Sequence, residues 1–187
     1  MKSEAWIPIV VGVTGHRSIR QADRPALYAA VREELSKLRA RCSHSLFVML
    51  SSLAEGADLL CADAAEELNI PLIAALPRAV DDYEKDFSEV GKARLSHHLL
   101  RAVQVFPVPP TEKGAGRDFE FRPAGIFVAA HSHVLLALWD GGSSTEAACG
   151  TAAAADFALN GSYYPISGSF TRRCPPGSKN TARRRSS

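Results

Sequence analysis

The sequence predicts a three-layer α/β fold built on a doubly wound, mainly parallel sheet. Three observations lead there. Short apolar runs alternate with amphipathic stretches, the mark of strand–helix–strand units. The runs at Val10–Val13, Phe47–Leu50, Leu72–Leu76 and Val134–Leu138 are apolar on both faces of the pleat, as in strands covered by helices on both sides. Turns rich in glycine and hydroxyls follow three of these runs.

Each element has its own local reason. Trp6–Val13 (WIPIVVGV) is rich in β-branched residues and stops at Thr14-Gly15, as a strand does. Ala26–Arg41 places Leu27, Ala30, Val31, Leu35 and Leu38 at helical spacing. Ser45–Leu50 reads as a second strand. Ala57–Leu68 is a second helix, with Leu60, Ala64 and Leu68 on one face, and Pro71–Leu76 is a third strand. Asp81–Val103 is helical in two pieces. Val103–Val108 is a fourth strand, closed by Pro109-Pro110. After a polar loop at Thr111–Gly116, Phe119–His131 forms a helix around Ile126, Phe127 and Ala130. His133–Trp139 is the fifth strand, Ala147–Leu159 an alanine-rich helix, and Tyr163–Ile166 a sixth strand. No internal repeat is visible.

The chain has 187 residues, 46% hydrophobic and 22% charged. That length and composition fit one domain with its own core, and exclude collagen-like, mucin-like and wholly disordered chains. From Ser167 onward there is no periodicity, so residues 167–187 are expected as a disordered basic tail behind a domain of residues 1–166. The tail holds six of the 22 Lys and Arg and no acid; residues 1–166 hold 16 basic and 20 acidic groups, a net of −4. The overall +2 is therefore a property of the tail, and nucleic acid is disfavoured as a partner of the body. Cys42, Cys61, Cys149 and Cys174 are far apart, with no CxxC, which fits a reduced cytoplasmic chain. Neither a signal-peptide pattern nor an apolar run of about 18 residues occurs.

In open parallel sheets, ligands collect beyond the carboxyl ends of the strands. Three turns there are candidate sites. In Gly12–Arg17, Gly15 allows a tight turn and close approach to the backbone, Thr14 and His16 offer hydrogen bonds, and Arg17 offers a bidentate fork for phosphate. In Ser51–Asp58, the hydroxyls of Ser51 and Ser52 stand at the strand end and Gly56 at the helix start, where backbone N–H groups attract anions. Glu55 could take ribose hydroxyls, while Asp58 caps the helix or pins the loop. In the third turn, Asp140 and Gly141 follow the strand, and Gly150-Thr151 opens the last helix. For each, a purely structural turn is the competing reading.

Other features are weaker. His97-His98 reads as a solvated pair in preference to a metal site, since neighbours on a helix point in different directions. His131 and His133 lack ligand partners in the sequence, and no metal site is expected. The polar segment Asp81–Phe87 reads as a solvated helix face, with Lys85 or Asp86 as alternatives for a lid over the pocket. There is no GxSxG elbow, GxxxxGK[ST] loop or GxGxxG fingerprint, so an ordinary dinucleotide dehydrogenase is disfavoured and no cofactor is expected.

The order and spacing of GVTGHR (12–17), LSSLAEGAD (50–58), ALP (75–77) with YEKDF (83–87), LLALWDG (135–141) and CGT (149–151) resemble the SLOG superfamily. This is the Rossmann-like group that includes the DprA/Smf DNA-processing proteins and the LOG nucleotide phosphoribohydrolases; the closest likeness is to its GHR-type members. The resemblance runs from about Ile9 to Pro165 and implies a nucleotide or nucleotide-derived ligand on the three turns. Gly150-Thr151 matches the glycine–threonine pair of the LOG branch, but Ala154 stands where its catalytic glutamate would fall. Arg122 is the nearest match to its catalytic arginine, about two residues out of register. Ser52, His133 and Cys149 replace the glycine, aspartate and glycine usual in the relatives.

Three functions follow. The first is binding of a small-molecule nucleotide, as a sensor, through Thr14, Gly15, His16, Arg17, Ser51, Ser52, Glu55, Gly56, Asp140, Gly141, Gly150 and Thr151. The second is a LOG-like hydrolase of nucleoside monophosphates, with Glu55, Asp140 and Arg122 as catalytic groups. The third is DprA-like binding of single-stranded DNA. All three leave room for a homo-oligomer.

Overall fold

A computed structural model describes residues 8–109 and 117–139, together with Ala154. Its elements run β1 (Ile9–Gly15), α1 (Arg24–Arg41), β2 (Phe47–Ser51), α2 (Ala57–Glu67), β3 (Leu72–Leu76), α3 (Val80–Tyr83), a 3-10 turn (Glu84–Asp86), α4 (Glu89–Arg101), β4 (Gln104–Pro107), α5 (Arg117–Ala130) and β5 (Val134–Leu138). Among the described residues the five strands are all parallel, in the order β4-β3-β2-β1-β5. The doubly wound α/β reading is correct, including the broken helix between β3 and β4. The expected helix Ala147–Leu159 (apart from helical Ala154), the strand Tyr163–Ile166, the tail 167–187, and Asp140, Gly141, Gly150 and Thr151 lie outside the described residues.

Alternation along the strands divides the core in two. Val11, Val13, Met49, Leu72, Ala74 and Leu76 face one side, where Leu35 of α1, Leu59 and Leu60 of α2 and Leu95 of α4 meet them. Leu50 and Ala75 face the other side and pack with Ala124 and Val128 of α5. Burying a side chain of this size contributes about 1.5–3 kcal/mol, so among the described residues the cluster under α1, α2 and α4 carries most of the hydrophobic stabilisation.

Helix ends are set by local chemistry. Pro25 stands in the first turn of α1, where its missing N–H costs no hydrogen bond. At the end of α2, Asn69 takes a left-handed φ of 53°, and the Ile70 N–H reaches back to the Ala65 carbonyl. Ser88 caps α4 by accepting the Gly91 N–H at 3.0 Å.

One residue anchors the approach to β5 against β1. The His133 N–H donates to the Val10 carbonyl at 2.8 Å, and His133 Nδ1 accepts the Val10 N–H at 3.0 Å. A ring acceptor thus does the work of a backbone carbonyl one residue before β5 begins. No helix among the described residues is long and apolar enough to cross a membrane, and Cys42 and Cys61 are free thiols.

Candidate functional site

The winding of the sheet reverses between β1 and β5. From β1 the chain builds outward through β2, β3 and β4, then returns to add β5 on β1's other side. Such a reversal leaves a crevice at the carboxyl ends of the two strands. A cavity of about 120 Å³ lies there, its wall including Thr14, Gly15, Arg17, Ser52, Asp58 and Tyr83.

The turns around it are stitched to one another. The His16 N–H donates to the Leu138 carbonyl at 3.1 Å, and the Ala57 N–H donates to the His16 carbonyl at 3.1 Å. This closeness depends on two glycines. A Cβ at Gly15 would lie 2.3 Å from the Ala57 Cβ. Gly56 has φ +102°, and a Cβ there would lie 2.3 Å from the Arg17 carbonyl oxygen. Only glycine meets both conditions at the start of α2.

The β2 turn is held from inside. Ser51 is fully buried; its hydroxyl donates to Asp58 Oδ2 at 3.1 Å and accepts the Leu53 N–H at 3.0 Å. The Ala54 N–H also donates to Asp58 Oδ2, at 3.3 Å. Asp58 therefore pins the loop, as its position in the sequence indicates. Leu53 sits at φ 54°, a left-handed conformation that costs a leucine about 1–3 kcal/mol, and its fully buried side chain holds it there. Burial pushes the Asp58 carboxyl up to about 7, against the pull of hydrogen bonds from Ala54, Ser51 and Ser52 and the charge of Arg17.

Arg17, Tyr83 and Phe121 on the cavity wall belong to a wider aromatic and cationic cluster. The Arg17 guanidinium lies 5.0 Å from the centre of the Phe121 ring and 5.9 Å from that of Phe87. Arg78 lies 5.0 Å from the same Phe121 ring and is paired with Asp86. Tyr83 packs edge-on against Phe87 at 5.0 Å and tilted against Phe121 at 6.1 Å. The Tyr83 side chain is fully buried, yet its hydroxyl has no hydrogen-bond partner among the described residues. Burial, with the Asp58 charge behind it, pushes the phenol well above its usual range.

The candidates from the sequence divide. Thr14, Gly15, Arg17, Ser52 and Arg122 line the cavity. Ser51 and Gly56 shape the turn beneath it. His16 joins the stitching through its backbone and lines a second hollow of about 400 Å³ with Ile19, Leu27 and Trp139. Glu55 does not line the cavity. Its carboxylate accepts the Ser88 hydroxyl and the Ser88 N–H at the start of α4, which holds it below the usual carboxylate range. Ala154, where the resemblance places a catalytic glutamate, is on the cavity wall.

Tyr83, Phe121 and Arg78 escape a reading of the sequence. The available signal was the pair of aromatics Tyr83 and Phe87, four residues apart within the polar Asp81–Phe87 segment. Both are buried, so one face of that segment is not solvated. Lys85 pairs with Asp82 on the surface, whereas Asp86 holds Arg78 against Phe121. The solvated reading of His97-His98 also needs correction. His98 is 2% exposed and paired with Asp63, because Gly91, Leu95 and His98 form the stripe of α4 turned inward.

No family model matches the chain, and no curated protein matches it. Among solved structures it is similar to DNA processing protein A (DprA) from Streptococcus pneumoniae. The two are 18% identical with a TM-score of 0.49, over 70% of this chain and 41% of that one.

Proposed function

We propose that the chain is a SLOG-type domain that binds a nucleotide or nucleotide-derived ligand at the carboxyl edge of its sheet. The observation that carries this reading is the make-up of the cavity wall. Among the described residues, the Arg17 guanidinium lies over the Phe121 and Phe87 rings, and the buried Tyr83 hydroxyl on the same wall has no hydrogen-bond partner. An unmatched buried hydroxyl costs about 1–3 kcal/mol, and a polar ligand atom would remove that cost. Gly15, which lets a ligand approach the backbone, and Thr14, which carries a hydroxyl, line the same wall, a setting suited to phosphate. By their place in the sequence, Asp140, Gly141, Gly150 and Thr151 are further ligand-binding candidates in this proposal, and the acidic balance of residues 1–166 favours a compact anion over a nucleic-acid strand.

Thermal-shift titration with AMP, ADP-ribose and cyclic nucleotides tests it. A true ligand at 100 times its dissociation constant stabilises the fold by about 2.7 kcal/mol. The shift is expected with at least one of them and is expected to vanish in Arg17→Ala. Silence from all of them, or an equal response in Arg17→Ala, would sink the proposal. A salt series on single-stranded DNA should show no binding by residues 1–166.

The hydrolase reading rests on a different observation, the buried Asp58 carboxyl and Arg122 together on the cavity wall, where burial pushes Asp58 up to about 7. A carboxyl near 7 suits general acid–base work at an N-glycosidic bond. Release of free base from a nucleoside monophosphate, lost in both Asp58→Asn and Arg122→Ala, would favour catalysis. Binding without release would favour the sensor.

A further inference from the structure

On the layer formed by α2 and α4, two imidazoles converge on one carboxylate. Glu66 Oε2 lies 2.8 Å from His97 Nε2 and 3.7 Å from His98 Nδ1. The three donor groups lie within 4.8 Å of one another. His98 is fixed in place: its ring is 3% exposed, and its Nε2 meets Asp63 Oδ1 at 2.8 Å. Arg94 pairs with the other oxygen of Asp63. A carboxylate on one imidazole nitrogen keeps the proton there and leaves the opposite lone pair free, which is how histidine ligands of metals are oriented. Here that lone pair is on Nδ1, toward Glu66. His97 is 52% exposed, so its ring can rotate to close the set.

We infer that Glu66, His97 and His98 form a binding site for a divalent first-row transition metal ion, of the zinc or nickel type, that bridges α2 and α4. Two imidazole nitrogens and one carboxylate oxygen suit such an ion, whereas calcium and magnesium take oxygen ligands. A tetrahedral ion about 2.1 Å from each donor needs donors roughly 3.4 Å apart. Two of the three donor separations, 2.8 and 3.7 Å, bracket that value, and the third is within 4.8 Å. Three protein ligands leave a coordination position for water. Arg101 Nε, 2.6 Å from Glu66 Oε1, holds the second carboxylate oxygen, and its charge opposes the ion. The site is therefore of moderate affinity, and loading it fastens α4 to α2. None of the three ligands lines the cavity at the sheet edge.

Titration of the full chain with Co2+, followed by visible absorption, tests the site. One ion is expected per chain, with the weak bands of nitrogen and oxygen ligation. The sulfur charge-transfer band that a cysteine ligand would add is expected to be absent. His97→Ala and Glu66→Gln should each weaken binding by about tenfold or more, and Arg101→Ala should tighten it. His97 is preferred to His98 as a probe because its exposed ring can be removed without opening a cavity. His44→Ala, on the exposed turn after α1, should change nothing. Zn2+ should raise the melting temperature of the parent chain and not of His97→Ala. Failure to bind Co2+ at millimolar concentration, a sulfur band, or full binding by both His97→Ala and Glu66→Gln would overturn the assignment.

Discussion

Helix α2 carries acidic residues into two different settings. At its first turn Asp58 is buried beside the cavity and receives hydrogen bonds from neutral groups, Ser51 and the Ala54 amide. Its carboxyl is pushed up to about 7 because burial outweighs those donors. In its second half Asp63 meets Arg94 and His98, and Glu66 meets Arg101 and His97. Burial pushes Asp63 up as well, but the His98 hydrogen bond and the Arg94 charge outweigh it and hold the carboxyl below its usual value. One helix thus carries a carboxyl, Asp58, pushed above its ordinary value at one end and another, Asp63, held below it further along. The partners packed against each residue decide which, not the residue type.

The largest expected effect comes from the residue that seats the first turn of α2. Gly56→Ala forces a Cβ against the Arg17 carbonyl at a positive φ, and should cost about 3 kcal/mol. Urea denaturation would measure it, and a loss below 1 kcal/mol would show that the stitched turns yield easily. Next comes Asp58→Ala, which strips the buried Ser51 hydroxyl and the Ala54 amide of their acceptor, at about 2 kcal/mol.

The charge state of Asp58 gives a sharper test. Its folded value of about 7 lies above its ordinary 3.8, so the folded chain binds the proton more tightly. The contribution of Asp58 is complete below 3.8, declines as pH rises, and is lost through pH 7. Stability measured across that window should fall less steeply in Asp58→Asn than in the parent. An unchanged slope would mean that Asp58 is already ionised, and the contrast between the two ends of α2 would collapse.

Smaller effects are expected elsewhere. Glu66→Gln weakens a partly exposed network and should cost about 1 kcal/mol or less by the same denaturation assay. Arg17→Ala should change stability by only about 0.5–1 kcal/mol, the scale of an exposed cation–π contact, while removing any nucleotide-induced shift.

Much of this was legible in the sequence, for physical reasons that differ by element. The β-branched run Val10–Val13 and the Ile73–Leu76 stretch mark strands because their neighbours in space are helices on both faces. Gly15, Gly56 and Arg17 were legible because strand ends and glycine turns are local features. Tyr83 and Phe121 were not, since 37 residues separate them and no spacing rule connects the turn after β3 to α5. The pairing of His97 and His98 with Glu66 is hidden for the same reason, as the carboxylate arrives from another helix. Glu55 stands at the right strand end, but the α4 cap takes its carboxylate.

His133, through its backbone N–H and its ring, acts as an alignment pin for β5. Its two hydrogen bonds to Val10 fix where β5 starts, and the register then runs without slack from Val11 opposite Val134 to Gly15 opposite Leu138. A slip of one residue would turn every β5 side chain to the other face of the sheet and bring Trp139 opposite Gly15. The geometry of the crevice is thus gauged at the far end of the strand, by a residue that never touches it.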